Sequence, residues 1–350
     1  MLLIRRFFCA GRGCVPECLR PLQHPLASPI AMATSSTLPG MFLSQVLRRR
    51  TPCSAHFELT LGLAGFPPAS PGQFLEVLCR APQADDDSEP QPSARAATEL
   101  GIQPPRQQHG AMLRRPFSIA ALRRSAHGCE IDLLGRVTGE GTAWLAARRP
   151  GDSVDVLGPL GRGFSTPTDG SRVLLVAGGI GLPPIRWLGE ELRKKNLACD
   201  VVYGALSRDL LPVKLSREPA SGELSPCVEE FAQYGINTLL TTDDGSCGMR
   251  GQVTDGIRRY CESVQHLPSV RVYACGSEAM LRAIASFCAQ RGMPCEVAME
   301  RKMACGMGTC QSCVVPVIDR KSESGWRYAL CCTEGPVFGA AEVCWPRVAC

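Results

Sequence analysis

Residues 172–184 read Arg-Val-Leu-Leu-Val-Ala-Gly-Gly-Ile-Gly-Leu-Pro-Pro, an apolar run followed by three glycines and two prolines. The uninterrupted apolar run predicts a strand that is buried on both faces, and residues 185–195 predict the helix that follows it. A turn with a purely structural role needs one glycine, so three glycines favour a turn that lies close to a ligand. Free N–H groups at the start of a helix attract a pyrophosphate. The stretch therefore predicts a dinucleotide site, although it is not the Gly-x-Gly-x-x-Gly fingerprint.

The same alternation of strand and helix continues towards residue 298. Strand patterns lie at 200–205, 237–242 and 269–275, and helical patterns lie at 228–234, 254–261 and 278–291. This alternation predicts a parallel α/β domain over residues 169–298, with helices on both faces of its sheet. Because ligands of such sheets collect at the carboxyl ends of the strands, the predicted dinucleotide contacts are Gly178, Gly179, Gly181, Pro183, Cys275 and Gly276. Cys275 either stands near the nicotinamide or is a buried core cysteine.

Residues 41–168 have a different texture, in which short β-rich runs are interrupted by Pro and Gly. Runs such as 56–61, 115–121, 129–137 and 153–157 predict a small antiparallel β-barrel. Within it, residues 81–110 are rich in Pro, Gln, Asp, Ser and Ala, which predicts an inserted flexible loop. Residues 1–40 are predicted to be a disordered or transit-like extension, of which the first 31 residues precede an alternative start at Met32. The fold class expected for the whole chain is multidomain, α/β plus β.

A flavin signal lies in the barrel, at Arg115-Pro116-Phe117-Ser118. Arg115 is suited to a bidentate pairing with a pyrophosphate, and Ser118 to a hydrogen bond with the isoalloxazine edge near N5. Further ribityl and phosphate contacts are predicted at Leu134, Gly135, Arg136, Gly141 and Thr142. In isolation the motif fits an ordinary strand with a surface Arg, and its place before a nucleotide-binding turn favours a flavin.

The last predicted unit, residues 299–350, is dense in cysteine. Cys305-Gly-Met-Gly-Thr-Cys310-Gln-Ser-Cys313 is followed by Cys332, which is the spacing of a plant-type [2Fe-2S] site. Glycines in the loop accept unusual φ values and bring backbone N–H groups near sulfur. Four thiolates also build structural zinc sites, but those sites usually contain two close Cys pairs. Cys331 competes with Cys332 for the fourth position, and the Cys-x-x-Gly-Pro context favours Cys332.

Composition excludes several other classes of protein. The formal charge of +5 is modest, and part of it lies near the N-terminus. The sequence therefore indicates no domain-wide basic face, and nucleic-acid binding is not predicted. The sequence contains no run of 18 apolar residues, so no membrane span is predicted. Most of the 20 cysteines are scattered through apolar segments, which favours a reduced, cytoplasmic protein. No nucleophile, base and acid form a catalytic set around the five histidines (His24, His56, His109, His127 and His266), so the chemistry is assigned to cofactors.

The order of these motifs resembles the electron-transfer subunit of NAD-dependent dihydroorotate dehydrogenase, within the ferredoxin reductase-like superfamily. The resemblance covers about residues 40–340 and rests on the motifs above together with Glu300-x-x-Met303-x-Cys305-Gly and Cys332-x-x-Gly-Pro-Val-Phe338. The sequence departs from the family pattern in its long N-terminus, in the 81–110 insertion, in the gap before Cys332, and at Ser277, where Pro is common.

The resemblance implies a hetero-oligomer, expected to be a heterotetramer, with an FMN-containing catalytic subunit that oxidises dihydroorotate to orotate in pyrimidine biosynthesis. Electrons would then pass through the [2Fe-2S] cluster and FAD to NAD. The same modules also serve as the flavin and iron-sulfur subunit of a hydrogenase, a sulfur reductase or a transhydrogenase. A non-catalytic redox-sensing or metal-storing protein is the alternative of another class.

Overall fold

Six antiparallel strands close into a barrel in the order β1-β2-β5-β4-β3-β6. They are β1 (Gly40–Cys53), β2 (His56–Leu63), β3 (Phe74–Val77), β4 (Arg115–Ser125), β5 (Gly128–Arg136) and β6 (Ser153–Leu160). The structure is a computed structural model and describes residues 39–80, 113–126, 128–263 and 269–348. The barrel interior is apolar, since alternate residues such as Leu59, Leu61, Ile131 and Leu133 are fully buried there. A short helix, α1 (Glu140–Ala146), connects β5 to β6.

A seven-stranded sheet follows the barrel, in the order β10-β9-β8-β7-β11-β12-β15. Its strands are β7 (Arg172–Gly178), β8 (Cys199–Ala205), β9 (Thr238–Thr242), β10 (Met249–Arg250), β11 (Val270–Cys275), β12 (Cys295–Ala298) and β15 (Val337–Gly339). Its helices are α2 (Leu182–Lys194), α3 (Glu229–Ala232), α4 (Val253–Cys261) and α5 (Glu278–Gln290). All neighbouring strands from β10 to β12 are parallel, and β15 is antiparallel to β12.

Helices cover both faces of this sheet, as predicted. Alternate residues of β7 point to opposite sides: Leu174 packs with α4 and α5, and Leu175 packs with α2 and α3. This is why the run 172–177 is apolar at every position after the first. The predicted fold class is therefore confirmed, with element ends that differ from the predictions by a few residues.

The barrel and the sheet meet through α2. Trp187 of this helix belongs to the barrel core, and Arg186 forms ion pairs with Glu58 at 2.7 Å and with Asp132 at 3.5 Å. All three charged side chains are nearly excluded from solvent. Removing one partner of such a pair leaves a buried charge, so the network fixes how α2 sits against β2 and β5.

The C-terminal segment is less separate from the sheet than the sequence predicts. Its hairpin, β13 (Val314–Ile318) and β14 (Trp326–Leu330), stands alone, but β15 returns to the large sheet. Phe338 lies opposite Val297 in that pairing. The predicted extension 1–40 and insertion 81–110 lie almost wholly outside the described residues. Among the helices that are described, none is long and apolar enough to cross a membrane.

Candidate cofactor sites

The four predicted ligand cysteines stand as two pairs in one loop region. Cys305 and Cys310 are 3.3 Å apart between their sulfur atoms. The backbone N–H of Cys332 donates to the sulfur of Cys313 at 3.4 Å, and their thiols also interact. The first pair reaches the surface, whereas the second pair is buried. Among the described residues, no group of three or more His, Cys, Asp or Glu side chains is arranged to hold a single metal ion.

Two pairs fit a [2Fe-2S] cluster because each of its two irons takes two thiolates. Two sulfur ligands of one tetrahedral metal, each about 2.3 Å from it, are roughly 3.8 Å apart, which is close to the observed separation of Cys305 and Cys310. The φ values of +67° at Gly306 and +87° at Gly308 turn the loop so that backbone N–H groups face sulfur. The N–H groups of Met307 and Cys310 donate to the sulfur of Cys305. The loop thus carries the donors that a sulfur-rich, negatively charged group requires.

The thiols of the two pairs have different electrostatic surroundings. The hydroxyl and backbone of Ser312, with the contacts from Cys305, lower the pKa of the exposed Cys310 thiol to about 6. Burial, reinforced by the neighbouring Cys313, raises the pKa of Cys332 to about 12. A metal that replaces the proton removes this penalty at Cys332.

Cys331 points away from the two pairs. It is fully buried in the core, where its thiol donates to the carbonyl of Met299 at 3.5 Å. Both cysteines lie in the turn that follows β14, and Cys332, not Cys331, contacts the sulfur of Cys313. This arrangement supports Cys332 as the fourth ligand.

The glycine-rich turn lies where β7 and β11 end side by side. A β-carbon at Gly181 would lie 2.2 Å from the carbonyl oxygen of Cys275, and one at Gly276 would lie 2.5 Å from Met280. Gly179, at φ +51°, faces open space instead. Its carbonyl accepts a hydrogen bond from Tyr203 at 3.2 Å. The open turn at the amino end of a 13-residue helix fits a dinucleotide pyrophosphate.

The remaining predicted NAD contacts surround the same turn. Gly178 ends β7, with no room for a side chain beside the sulfur of Met280, and Pro183 is buried in the first turn of α2. Cys275 ends β11 and is half-buried. Burial raises the pKa of its thiol to about 12, so it is a neutral group at neutral pH. Its proximity to a nicotinamide stays a prediction.

The predicted flavin strand is the beginning of β4. Phe117 points into the barrel core, while Pro116 and Ser118 alternate with it on the outer face and are half-buried. The guanidinium of Arg115 donates to the carbonyls of Leu113 and Arg114, both at 3.1 Å. By the same alternation Arg115 is not on the face of Ser118, but a cation at the start of the strand and a hydroxyl three residues later fit the pyrophosphate and the polar edge of a flavin dinucleotide.

The other predicted flavin residues have mixed surroundings. Leu134 is buried among residues of the α2 side of the core, and Gly135 leaves no room beside Phe57. Arg136 is exposed at the end of β5. Gly141 lies in the first turn of α1, which begins at Glu140. The hydroxyl of Thr142 accepts from the backbone N–H groups of residues 138 and 139, so it stabilises the start of this helix.

Two polar features next to these sites were not predicted. Glu76 of β3 is completely buried between the flavin strand and the cysteine loop, and Arg301 pairs with Glu278 at 2.7 Å. Glu76 belongs to the run 74–77, in which it is the one charged residue. A charge inside an apolar strand is the signal that points to a buried polar group.

Comparisons with known proteins agree with this geometry. A family model described as the iron-sulfur cluster binding domain of dihydroorotate dehydrogenase B matches residues 300–344. Electron transfer subunits of dihydroorotate dehydrogenase B (NAD(+)) are similar over most of the chain. The subunit of Desulforamulus reducens is 36% identical, covering 79% of this chain and 87% of its own. That of Caldanaerobacter subterraneus is 30% identical, covering 86% and 97%.

Solved structures show the same fold at low identity. An NADH-dependent reduced ferredoxin-NADP oxidoreductase matches 87% of this chain and 90% of its own with a TM-score of 0.63 and 23% identity. The ferredoxin reductase of carbazole 1,9a-dioxygenase matches 74% and 68% with a TM-score of 0.53 and 16% identity. These structures share the fold of the chain, and the sequence relatives identify its family. The chain belongs to the family of electron transfer subunits of NAD(+)-dependent dihydroorotate dehydrogenase B.

Proposed function

We propose that this chain carries electrons between an FMN-containing subunit, which oxidises dihydroorotate to orotate, and NAD+. The observation that carries the proposal is the arrangement of the two thiol pairs, the flavin strand and the glycine-rich turn. Glu76 connects the first two, because it lies beside Pro116 and against Gly306. The glycine-rich turn is close to them, because Arg301, near the start of the cysteine loop, pairs with Glu278 on the helix that follows β11, and β11 ends beside β7. A chain of neighbouring sites is what stepwise electron transfer requires.

Each residue group has a separate task in this function. Cys305, Cys310, Cys313 and Cys332 hold a [2Fe-2S] cluster. Arg115, Ser118 and Arg136 bind and orient FAD, and the turn Gly178–Gly181 positions NAD. When bound, the cluster carries single electrons and the flavin carries either one or two, which allows a hydride to be exchanged with the nicotinamide.

The protein residues control access and orientation rather than proton transfer. Burial of Cys313 and Cys332 excludes water from one side of the cluster site. The surface position of Cys310 and Met307, which is 57% exposed, leaves the other side open to a partner. We place the complex in the cytoplasm, as a hetero-oligomer with the FMN subunit and with FAD and NAD as its remaining cofactors.

The test is reconstitution with the FMN subunit encoded in the same organism. The full chain, purified under anaerobic conditions, is expected to contain FAD, two irons and two labile sulfides, as for any single [2Fe-2S] site. Addition of the FMN subunit is expected to yield dihydroorotate-dependent reduction of NAD+. A chain that carries both cofactors but supports electron transfer only with a hydrogenase or a sulfur-reducing partner would overturn the assignment.

A further inference from the structure

Glu76 is the most unusual polar residue in the described part of the molecule. It lies in the middle of β3, opposite Pro116 of β4 and Leu157 of β6, and its exposed fraction is 0%. Neither carboxyl oxygen has a hydrogen-bond partner among the described residues. Burying a carboxyl group without a partner is costly, so the surrounding structure calls for a group that satisfies it.

The side chain of Glu76 is in direct contact with the cysteine loop. A β-carbon built on Gly306 would lie 2.6 Å from Cγ and 3.2 Å from Oε1 of Glu76, and 3.0 Å from Leu160. Gly306 also has a φ of +67°. The loop can therefore pass over the carboxyl group only because residue 306 has no side chain.

The cations near Glu76 are occupied elsewhere. Arg114 pairs with Asp155 at 2.9 Å and reaches only the backbone carbonyl of Glu76. Arg115 binds the backbone carbonyls of residues 113 and 114. Among the described residues, the thiols of Cys310 and Cys79 also interact electrostatically with this carboxyl group. Burial raises the pKa of Glu76 to about 7 in spite of both arginines.

We propose that the carboxyl group of Glu76 donates a hydrogen bond to a sulfur atom of the iron-sulfur site, and thereby raises the reduction potential of the cluster. The inference rests on the cofactor set of the proposed function. Cluster sulfur accepts hydrogen bonds and cannot donate them, and an uncharged carboxyl group has one O–H to donate. Such a bond stabilises the more negative, reduced cluster, and hydrogen bonds to sulfur are among the factors that set cluster potentials. Glu76 is a tuning residue in this account, not a ligand.

Two substitutions of similar size distinguish the effect of the hydrogen-bond donor from the effect of side-chain volume. Glu76→Gln keeps a donor without a carboxyl group, and Glu76→Met fills the space without a donor. Glu130→Gln, in β5 of the same barrel, is the control, because this carboxylate is partly exposed and pairs with Arg48 and Arg123. The full chain of each variant is purified with its cofactors. Iron, labile sulfide and FAD are quantified, and the cluster is titrated electrochemically by its EPR signal.

The expected result is a lower cluster potential in Glu76→Met, with a ratio of reduced to oxidised cluster about tenfold smaller at a fixed applied potential, which is ~59 mV for one electron. Glu76→Gln is expected to fall between Glu76→Met and the unmodified chain, and Glu130→Gln to match the latter. Loss of iron from Glu76→Met alone, with FAD retained, would also support the donor role.

Four results would overturn the inference. Unchanged potentials would show that Glu76 does not contact the cluster, and a higher potential in both variants would show that it acts as an anion. A change confined to the flavin absorption would assign it to FAD, and loss of iron from both variants would leave no role for the donor. Failure of the proposed function looks different, since the unmodified chain would then lack the EPR signal or the FMN partner.

Discussion

Arg301 donates from Nη1 to Oε2 of Glu278 at 2.7 Å, and from Nε to the carbonyl of Val314 at 3.2 Å. Glu278 begins α5, directly after the turn that ends β11. Val314 begins the strand that follows the cysteine loop. One guanidinium group therefore joins the helix that follows the carboxyl end of β11 to both ends of the loop that carries the cysteines.

Arg301→Leu is expected to destabilise the chain by about 1–3 kcal/mol, because it leaves the partly buried carboxylate of Glu278 with only the more distant Arg282, at 3.7 Å, as a charged partner. Glu278 and Arg301 are only 20% and 17% exposed. The matched control is Arg208→Leu, which breaks an exposed pair with Glu218 of the same 2.7 Å length and should cost less than about 1 kcal/mol. Urea unfolding of the full chain measures both. Equal losses in the two variants would contradict a special role for Arg301.

Gly181→Ala is expected to weaken NAD binding and to lower stability by roughly 1–3 kcal/mol. The new methyl group would meet the backbone carbonyl of Cys275 at 2.2 Å, and a backbone atom cannot move aside as a flexible side chain can. Gly65→Ala is the control, since no atom lies within 4 Å of its new β-carbon. NADH titration by flavin fluorescence and thermal unfolding distinguish the two. Normal NADH binding in Gly181→Ala would place the nicotinamide site elsewhere.

The stability of the chain is expected to fall between pH 8 and pH 5 through His56. Burial, with a smaller contribution from Arg136, lowers the pKa of this imidazole to about 4, against 6.5 in the unfolded chain. Above pH 6.5 both states are neutral and the stability is fully present. As the pH falls towards 4 only the unfolded state gains a proton, so about 2 kcal/mol is lost by pH 5.

His56→Gln removes this proton-linked term and should flatten the profile. Denaturant unfolding at pH 8 and pH 5 gives the comparison, and Cys53→Ser is the control because it preserves a hydrogen-bonding group beside Nδ1, where the Cys53 sulfur lies at 3.0 Å. An unchanged pH profile in His56→Gln would show that other groups cause the loss.

Local sequence patterns predicted the strands and turns whose structure depends mainly on neighbouring residues in the chain. The apolar run at β7 and the glycines after it identify a buried strand and a nucleotide turn without any tertiary information. The return of β15 to the edge of the sheet was missed because three residues, Val337–Gly339, carry no period that predicts their distant partner β12. Pairing between strands far apart in sequence depends on the rest of the fold.

The candidate sites also contain some residues that local spacing predicts and others whose partners are distant in sequence. Spacing alone predicted Cys305, Cys310 and Cys313 as ligands, since these three cysteines are neighbours in the chain. The choice of Cys332 over Cys331 depends on which residue faces the core. Glu76 and Arg301 act across long sequence distances, and a single residue in a pattern does not reveal such a partner.

The most direct test of the account compares two adjacent cysteines. Cys332→Ala and Cys331→Ala each remove one buried thiol, and iron, labile sulfide and FAD are measured in the full chain together with the EPR spectrum after reduction. The account predicts that Cys332→Ala loses the cluster and keeps FAD, whereas Cys331→Ala keeps both. A cluster retained in Cys332→Ala and lost in Cys331→Ala would contradict it.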